Sequence, residues 1–224
     1  MTGNIGAETI TPPMIFSRRH ILPLVALALP LAGFGLSGCV STVVGVGAAA
    51  ATAAQEERGI EAAANDLAIK TNINGLFLDK DSDIWSGITL TVMEGRVLMT
   101  GTVRTEAQRG EAGRIAGRAK GVRTVLNELQ VTRAELNGLR DRLITLDLRD
   151  KLLRDDSILS INYSLDTVNG VVYVIGIAQD KAEAARVRAH ARHIEYVRRI
   201  VDHVITNDDP RRPRRTPEQT KAGK

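Results

Sequence analysis

Aromatic residues make up only 3% of the 224-residue chain, with one Trp, three Tyr and three Phe. That scarcity argues against base-stacking platforms and large aromatic ligand pockets. A single cysteine, Cys39, excludes a disulfide framework and a cysteine-rich zinc site, and four histidines leave little material for a metal centre. An excess of one charge is also missing from the body of the chain. The formal +4 comes from the ends: once Arg18, Arg19, Glu8 and the arginine-rich stretch beyond Thr206 are set aside, basic and acidic residues balance. A nucleic-acid binder more often carries its excess on the folded face, so this balance argues against nucleic acid as a partner.

One long apolar run is present, Ile21–Gly35, directly behind Ser17-Arg18-Arg19-His20. A charged segment followed by such a run reads as an export signal. It is short for a transmembrane helix, which needs about 20 apolar residues. Leu36-Ser37-Gly38-Cys39 resembles the lipobox of bacterial lipoproteins. That resemblance implies cleavage before Cys39 and a covalent N-terminal lipid anchor on its sulfur. Ser17–Leu22 partly resembles a twin-arginine signal, which leaves Sec and twin-arginine export both open, and Met14 is a candidate start. Residues 1–38 are therefore expected to be a lipoprotein signal peptide and 39–58 an Ala/Gly-rich tether. Gly45, Gly47 and Ala50 fit a loose dinucleotide fingerprint, but no parallel βαβ unit accompanies them, and no cofactor is expected.

The rest of the chain repeats itself. Glu94-Gly95-Arg96-Val97-Leu98-Met99-Thr100-Gly101 matches Asn169-Gly170-Val171-Val172-Tyr173-Val174-Ile175-Gly176 at a spacing of 75. The same spacing pairs Ile69 with Ile144, Ile73 with Leu148, Phe77 with Leu152, Leu90 with Leu165 and Val125 with Ile200. A register held through helix-like and strand-like segments marks an internal repeat. Each copy opens with a 3.6-residue apolar rhythm and continues with two strands, Ile88–Met93 with Arg96–Val103 and Tyr163–Val168 with Val171–Ile177. Asn169-Gly170 suits a type I′ turn, with Glu94-Gly95 a weaker equivalent. Helices at Thr105–Ala119 and Asp180–Ile194 and closing strands at Val122–Val131 and Val197–Thr206 complete each copy. The expected fold is α+β: two tandem α-β-β-α-β domains, at 61–131 and 136–206, each a small three-stranded mixed sheet packed by two helices. Residues 207–224, carrying Arg211-Arg212-Pro213-Arg214-Arg215, are expected to be a basic disordered tail.

The copies differ on one helix. On a helical wheel Ile144, Leu148 and Leu152 fall together on the core face. Leu153, Leu146, Leu139 and Leu143 fall on the far side as a second apolar stripe, with Arg149 and Arg142 beside it. The positions 75 earlier are Leu78, Thr71, Ala64 and Ala68. A helix cannot bury both faces against one small sheet, so the second stripe meets the other domain, another protomer or a membrane. Leucines beside arginines suit an acyl and phosphate boundary.

Catalytic chemistry finds little support. Asp79, Asp81 and Asp83 imitate the start of a calcium loop, but Leu90 stands where the closing Glu belongs. His190 and His193 could share a helix face, yet position 190 aligns with Ile115, which points to packing rather than metal. No histidine or cysteine arrangement supports an activated nucleophile. The chain is expected not to be an enzyme and to hold no metal.

The element order, the duplication and the two hairpin signatures, Val92–Gly101 and Thr167–Gly176, resemble the BON-domain family, and the lipobox narrows this to its tandem-domain outer-membrane lipoproteins. That resemblance implies a lipid-anchored protein on the periplasmic face of the outer membrane that supports envelope integrity and binds anionic phospholipid through its second domain. It implies functional positions at Leu143, Arg149, Leu153 and Gly176; together with the wheel, the expected lipid-binding set is Leu139, Arg142, Leu143, Leu146, Arg149, Leu153 and Gly176. Leu143 replaces an aromatic and Asp147 a basic residue of the family pattern. The alternative reading is a structural adaptor that binds an envelope protein through Leu139, Leu143, Leu146 and Leu153.

Overall fold

The computed structural model describes residues 58–80, 85–132 and 138–213. The signal peptide, Cys39 and the tether lie outside the described residues, as do Asp81, Asp83, Leu136 and everything from Arg214 onward.

The first unit runs α1 (Gly59–Leu78), β1 (Ile88–Met93), β2 (Arg96–Val103), α2 (Glu106–Arg118), β3 (Thr124–Asn127) and β4 (Gln130–Val131). The second runs α3 (Gly138–Arg154), β5 (Tyr163–Val168), β6 (Val171–Ala178), α4 (Lys181–Arg192) and β7 (Arg199–Thr206). In both, an antiparallel hairpin is joined by a parallel third strand, the mixed sheet expected from the repeat. One detail differs. β7 pairs with β6 along its whole length, whereas the first unit's third strand breaks into β3 and β4, both parallel to β2. The chain leaves the ladder at Glu128 and Leu129, where Leu129 turns into the core and the Asn127 side-chain amide donates to the Arg109 carbonyl at 2.8 Å.

Local chemistry sets the element ends. Thr105 caps α2 in a reciprocal box: its hydroxyl accepts from the Gln108 backbone and the Gln108 side chain accepts from the Thr105 backbone, both at 3.2 Å. Asp180 caps α4 by accepting from Glu183 N at 2.8 Å. Each helix therefore starts one residue later than its apolar pattern suggests. Glu94 and Gly95 have φ of 50° and 72°, Asn169 and Gly170 52° and 71°, so both hairpins turn with two left-handed residues. A buried acid on the preceding helix holds each turn. The Asp66 carboxylate accepts from the backbone of Glu94 and Gly95, and the Asp141 carboxylate from Asn169 and Gly170, all at 2.8 Å. These acids also keep the spacing of 75, a match that comparing apolar residues alone misses.

The sheets have two apolar faces. Leu90, Val92, Val97 and Met99 pack under α1 and α2 with Ile69, Ile73 and Phe77. Val172 and Val174 pack under α3 and α4 with Ile144, Leu148 and Leu152. The alternate residues face the other unit: Met93 and Leu98 form one cluster with Val168, Tyr173, Ile175, Ile177 and Ile205. The result is four layers, helices–sheet–sheet–helices. The buried contact is built from matching positions, since Met93 and Leu98 are the counterparts of Val168 and Tyr173. Polar contacts frame it. His203 Nε2 lies 3.0 Å from Oε1 of its own counterpart, Glu128; Gln130 Nε2 donates to the Val168 carbonyl and the Tyr173 hydroxyl, each at 3.0 Å; and the Thr100 hydroxyl meets the Asp166 carboxylate.

The segment after β7 departs from expectation. Residues 207–213, expected to begin a disordered tail, fold back onto the first unit. Arg212 is buried and its Nε and Nη2 reach the Glu94 carboxylate at 3.0 and 2.5 Å, while Nη1 bonds Asn207. Glu94 is itself buried, so the pair binds the C-terminal segment to the first hairpin turn. Sequence charge alone reads Arg211-Arg212 as solvated because the acid that buries Arg212 lies 118 residues away.

Candidate functional site

The outer face of α3 carries the unusual surface. Leu148, Leu152 and Ile144 are 0–2% exposed against the sheet, whereas Leu139, Leu143, Leu146 and Leu153 are 72, 59, 58 and 70% exposed. The docking of the two units therefore does not use this stripe: the sheets' inner faces make that contact, because β6 is apolar on both sides and offers the larger complementary surface. Along an α-helix the distance from Leu139 to Leu153 is about 21 Å at 1.5 Å per residue.

Charge along the helix is arranged in pairs. Lys151 Nζ lies 3.4 Å from Asp147 and Arg154 Nε 2.8 Å from Asp150, both one helical turn apart. The hydrogen bond from Arg154 to Asp150 raises the guanidinium further above its already high range. Asp147 is thus matched by a cation, and Asp150 on the stripe side is matched as well. Arg142 and Arg149 are exposed and make no ion pair or hydrogen bond with a described residue. Arg140 sits over the exposed Tyr196 ring at 5.0 Å. Sequence reasoning missed this contact because the two residues are far apart in the chain and Tyr196 is turned toward α3 by a left-handed backbone.

Gly176 is not part of that surface. It is buried in β6 opposite Tyr163, and a Cβ there would lie 2.4 Å from the Tyr163 ring. Its counterpart Gly101 is in the same position, where a Cβ would lie 2.0 Å from the Gly87 carbonyl. Both glycines permit close strand approach. Gly176 is thus separated from the six exposed α3 positions and acts on the sheet that carries the helix.

His190 and His193 each make a hydrogen bond within the second unit. His190 Nε2 is 2.8 Å from Asp155, and His193 Nδ1 is 2.7 Å from the Ala189 carbonyl. The hydrogen bond from His190 holds the Asp155 carboxyl below its ordinary range. Among the described residues no group of three or more His, Cys, Asp or Glu is placed to hold a metal ion, and no helix is long and apolar enough to cross a membrane.

Comparison with known proteins bears on the architecture as a whole. The BON domain family model matches residues 65–133 and 140–208. An uncharacterized protein in the gshII 5′ region of Anaplasma centrale is 35% identical over 143 residues, covering 62% of this chain and 93% of its own. The outer membrane lipoprotein DolP of Haemophilus influenzae is 29% identical over 171 residues, 73% of this chain and 87% of that one. The osmotically-inducible protein Y of Escherichia coli is 26% identical over 146 residues, 63% of this chain and 73% of that one.

Proposed function

The chain belongs to the BON-domain family, whose domains are non-catalytic modules, and we propose from that premise that it is an envelope protein working through binding. In this reading Cys39 carries the lipid anchor, the protein lies on the periplasmic face of the outer membrane, and α3 of the second unit contacts anionic phospholipid in support of membrane integrity. The similarity to an outer membrane lipoprotein supports the location. The single observation that carries the binding surface is the row of exposed leucines beside two arginines without carboxylate partners among the described residues. Leucines gain by leaving water for the acyl boundary, and arginines at the same depth meet headgroup phosphates.

Leu143→Asp with Leu153→Asp tests it. Both side chains are outside the core, so the fold is retained, and flotation with phosphatidylglycerol vesicles is lost. Each fully inserted leucine contributes at most about 1.5–3 kcal/mol, and the new carboxylates add desolvation and repulsion. Arg149→Glu weakens flotation most at low salt, where screening is least. Unchanged flotation of the folded double variant removes α3 as the membrane surface. Retained flotation with loss of an envelope protein from a crosslinked complex favours the adaptor reading instead. Intact-mass analysis checks the anchor: Cys39→Ser blocks lipidation, and an unmodified Cys39 in the mature protein overturns that assignment.

A further inference from the structure

At the edge of the contact between the sheets lies a recess of about 390 Å³ lined by cationic side chains from both units. Arg96 on β2, Arg123 ahead of β3, and Arg211 and His203 from the second unit line it, with Asp202 as the acid on its wall. Arg96 is 6% exposed. Its Nη2 donates to the His203 carbonyl at 2.5 Å, while its Nη1 is buried and makes no hydrogen bond to any described residue. Arg123 is exposed and, among the described residues, donates only to backbone carbonyls, those of Glu94 at 3.4 Å and Arg211 at 2.7 Å.

The neighbouring acids are engaged elsewhere. Asp202 pairs with Arg188 at 2.8 Å, Asp209 with Arg211 at 2.6 Å, and Glu94 with Arg212 at 2.5 Å. Two guanidiniums, Arg96 and Arg123, are thus left without a carboxylate among the described residues, one of them buried with a free donor. Burial, followed by the positive charge of Arg211, lowers the Arg96 pKa. A buried cation with an unmade hydrogen bond is unfavourable unless something anionic compensates it. A planar guanidinium presents parallel donors that match an oxyanion, and several donors on one small recess suit a group with three or more acceptor oxygens.

We propose that this recess binds a phosphate-type oxyanion, held by Arg96 and Arg123. The recess shares no lining residue with the leucine stripe, and the proposal does not depend on that stripe. Both donors belong to the first unit, while Asp202, His203 and Arg211 of the second complete the wall, so the anion sits where the first sheet meets the segment after β7.

Side-chain NMR of the full chain tests the proposal, with inorganic phosphate titrated at constant ionic strength against chloride. The Arg96 and Arg123 Nε–Hε signals are expected to shift saturably. Arg123→Gln, at an exposed position, is expected to weaken the Arg96 response at least tenfold while leaving the thermal melt in place. A second arm uses phosphatidylglycerol vesicles in the Leu143→Asp, Leu153→Asp background, which separates this site from α3. Shifts with phosphate identify the free ion as a sufficient ligand; shifts with vesicles alone identify a lipid headgroup; either upholds the oxyanion site. Responses identical with chloride, undiminished in Arg123→Gln, or absent from both arms overturn it.

Discussion

The first helices of the two units bury the same face and differ on the other. Ile69, Ile73 and Phe77 on α1 match Ile144, Leu148 and Leu152 on α3, and all six lie in their cores. On the outer side α3 carries four exposed leucines, whereas the matching positions of α1 are Ala64, Ala68, Thr71 and Leu78. α1 does expose Ile60, Leu67 and Leu78, but widely separated along the helix. Packing against the sheet dictates one half of the helix and leaves the other half available for a task. The difference between the units is therefore a difference in surface, carried by a shared scaffold.

The hairpin turns offer the sharpest way to break that view. Glu94 and Asn169 are counterparts, yet only Glu94 neutralises a buried arginine. Glu94→Ala is expected to cost about 3–5 kcal/mol in urea denaturation, because Arg212 stays buried without its counter-charge. Asn169→Ala is expected to cost about 1–2 kcal/mol, mainly for placing alanine in a left-handed conformation. Equal losses would mean that the segment after β7 adds nothing to the first unit.

Next in size is the contrast across α3 itself. Leu148→Ala is expected to lose about 2–5 kcal/mol and Ile73→Ala a similar amount, since both side chains are fully buried. Leu143→Ala is expected to stay within about 0.5 kcal/mol of wild type. A large loss at Leu143 in the absence of lipid would move the stripe into the core.

The turn clamps sharpen the comparison further. Asp66→Asn and Asp141→Asn each leave one backbone N–H of the turn poorly satisfied, an expected loss of about 1–3 kcal/mol by denaturation. Asp66→Asn is expected to lose more, because Asp66 also receives Arg58 Nη1 at 2.9 Å.

The smallest effect is in pH. Asp155 bonds to His190, whereas their counterparts in the first unit are Lys80 and Ile115. The Asp155 carboxyl is held below its ordinary value, so the stability it adds is complete above the ordinary carboxylate range and is lost as pH falls through its folded pKa. In a carboxyl NMR titration His190→Ala is expected to raise the Asp155 midpoint toward that range. An unchanged midpoint would dismiss the contact.

The strands were the most legible part of the fold. The bounds of β1 and β2 match their expected ranges because Glu94-Gly95 marks the turn between two apolar runs. Thr105 and Asp180 belong to the caps rather than the helices, a distinction that side-chain hydrogen bonds make and periodicity does not. Which faces the units dock by was not legible. In β6, Val171–Ala178 is an almost unbroken apolar run, and such a run does not state that its second face meets another sheet. The helix wheel separated the buried from the exposed leucines of α3 correctly, since a repeat of 3.6 residues is local information. Gly176 was harder, because a glycine's reason for being there is the neighbouring strand. The arginine recess depends on residues from Arg96 to Arg211 meeting in space, and nothing local announces it.

Since the contact between the sheets is made from corresponding positions, it is the arrangement expected of a two-fold dimer written into one chain. Linkage changes its thermodynamics. Two separate halves would associate in proportion to their concentration, whereas tethered halves meet at an effective concentration of about millimolar order for a short connection. The paired sheets are therefore insensitive to dilution. In the proposed reading, occupancy of the outer α3 face instead follows the amount of its ligand, so abundance would control engagement without controlling integrity.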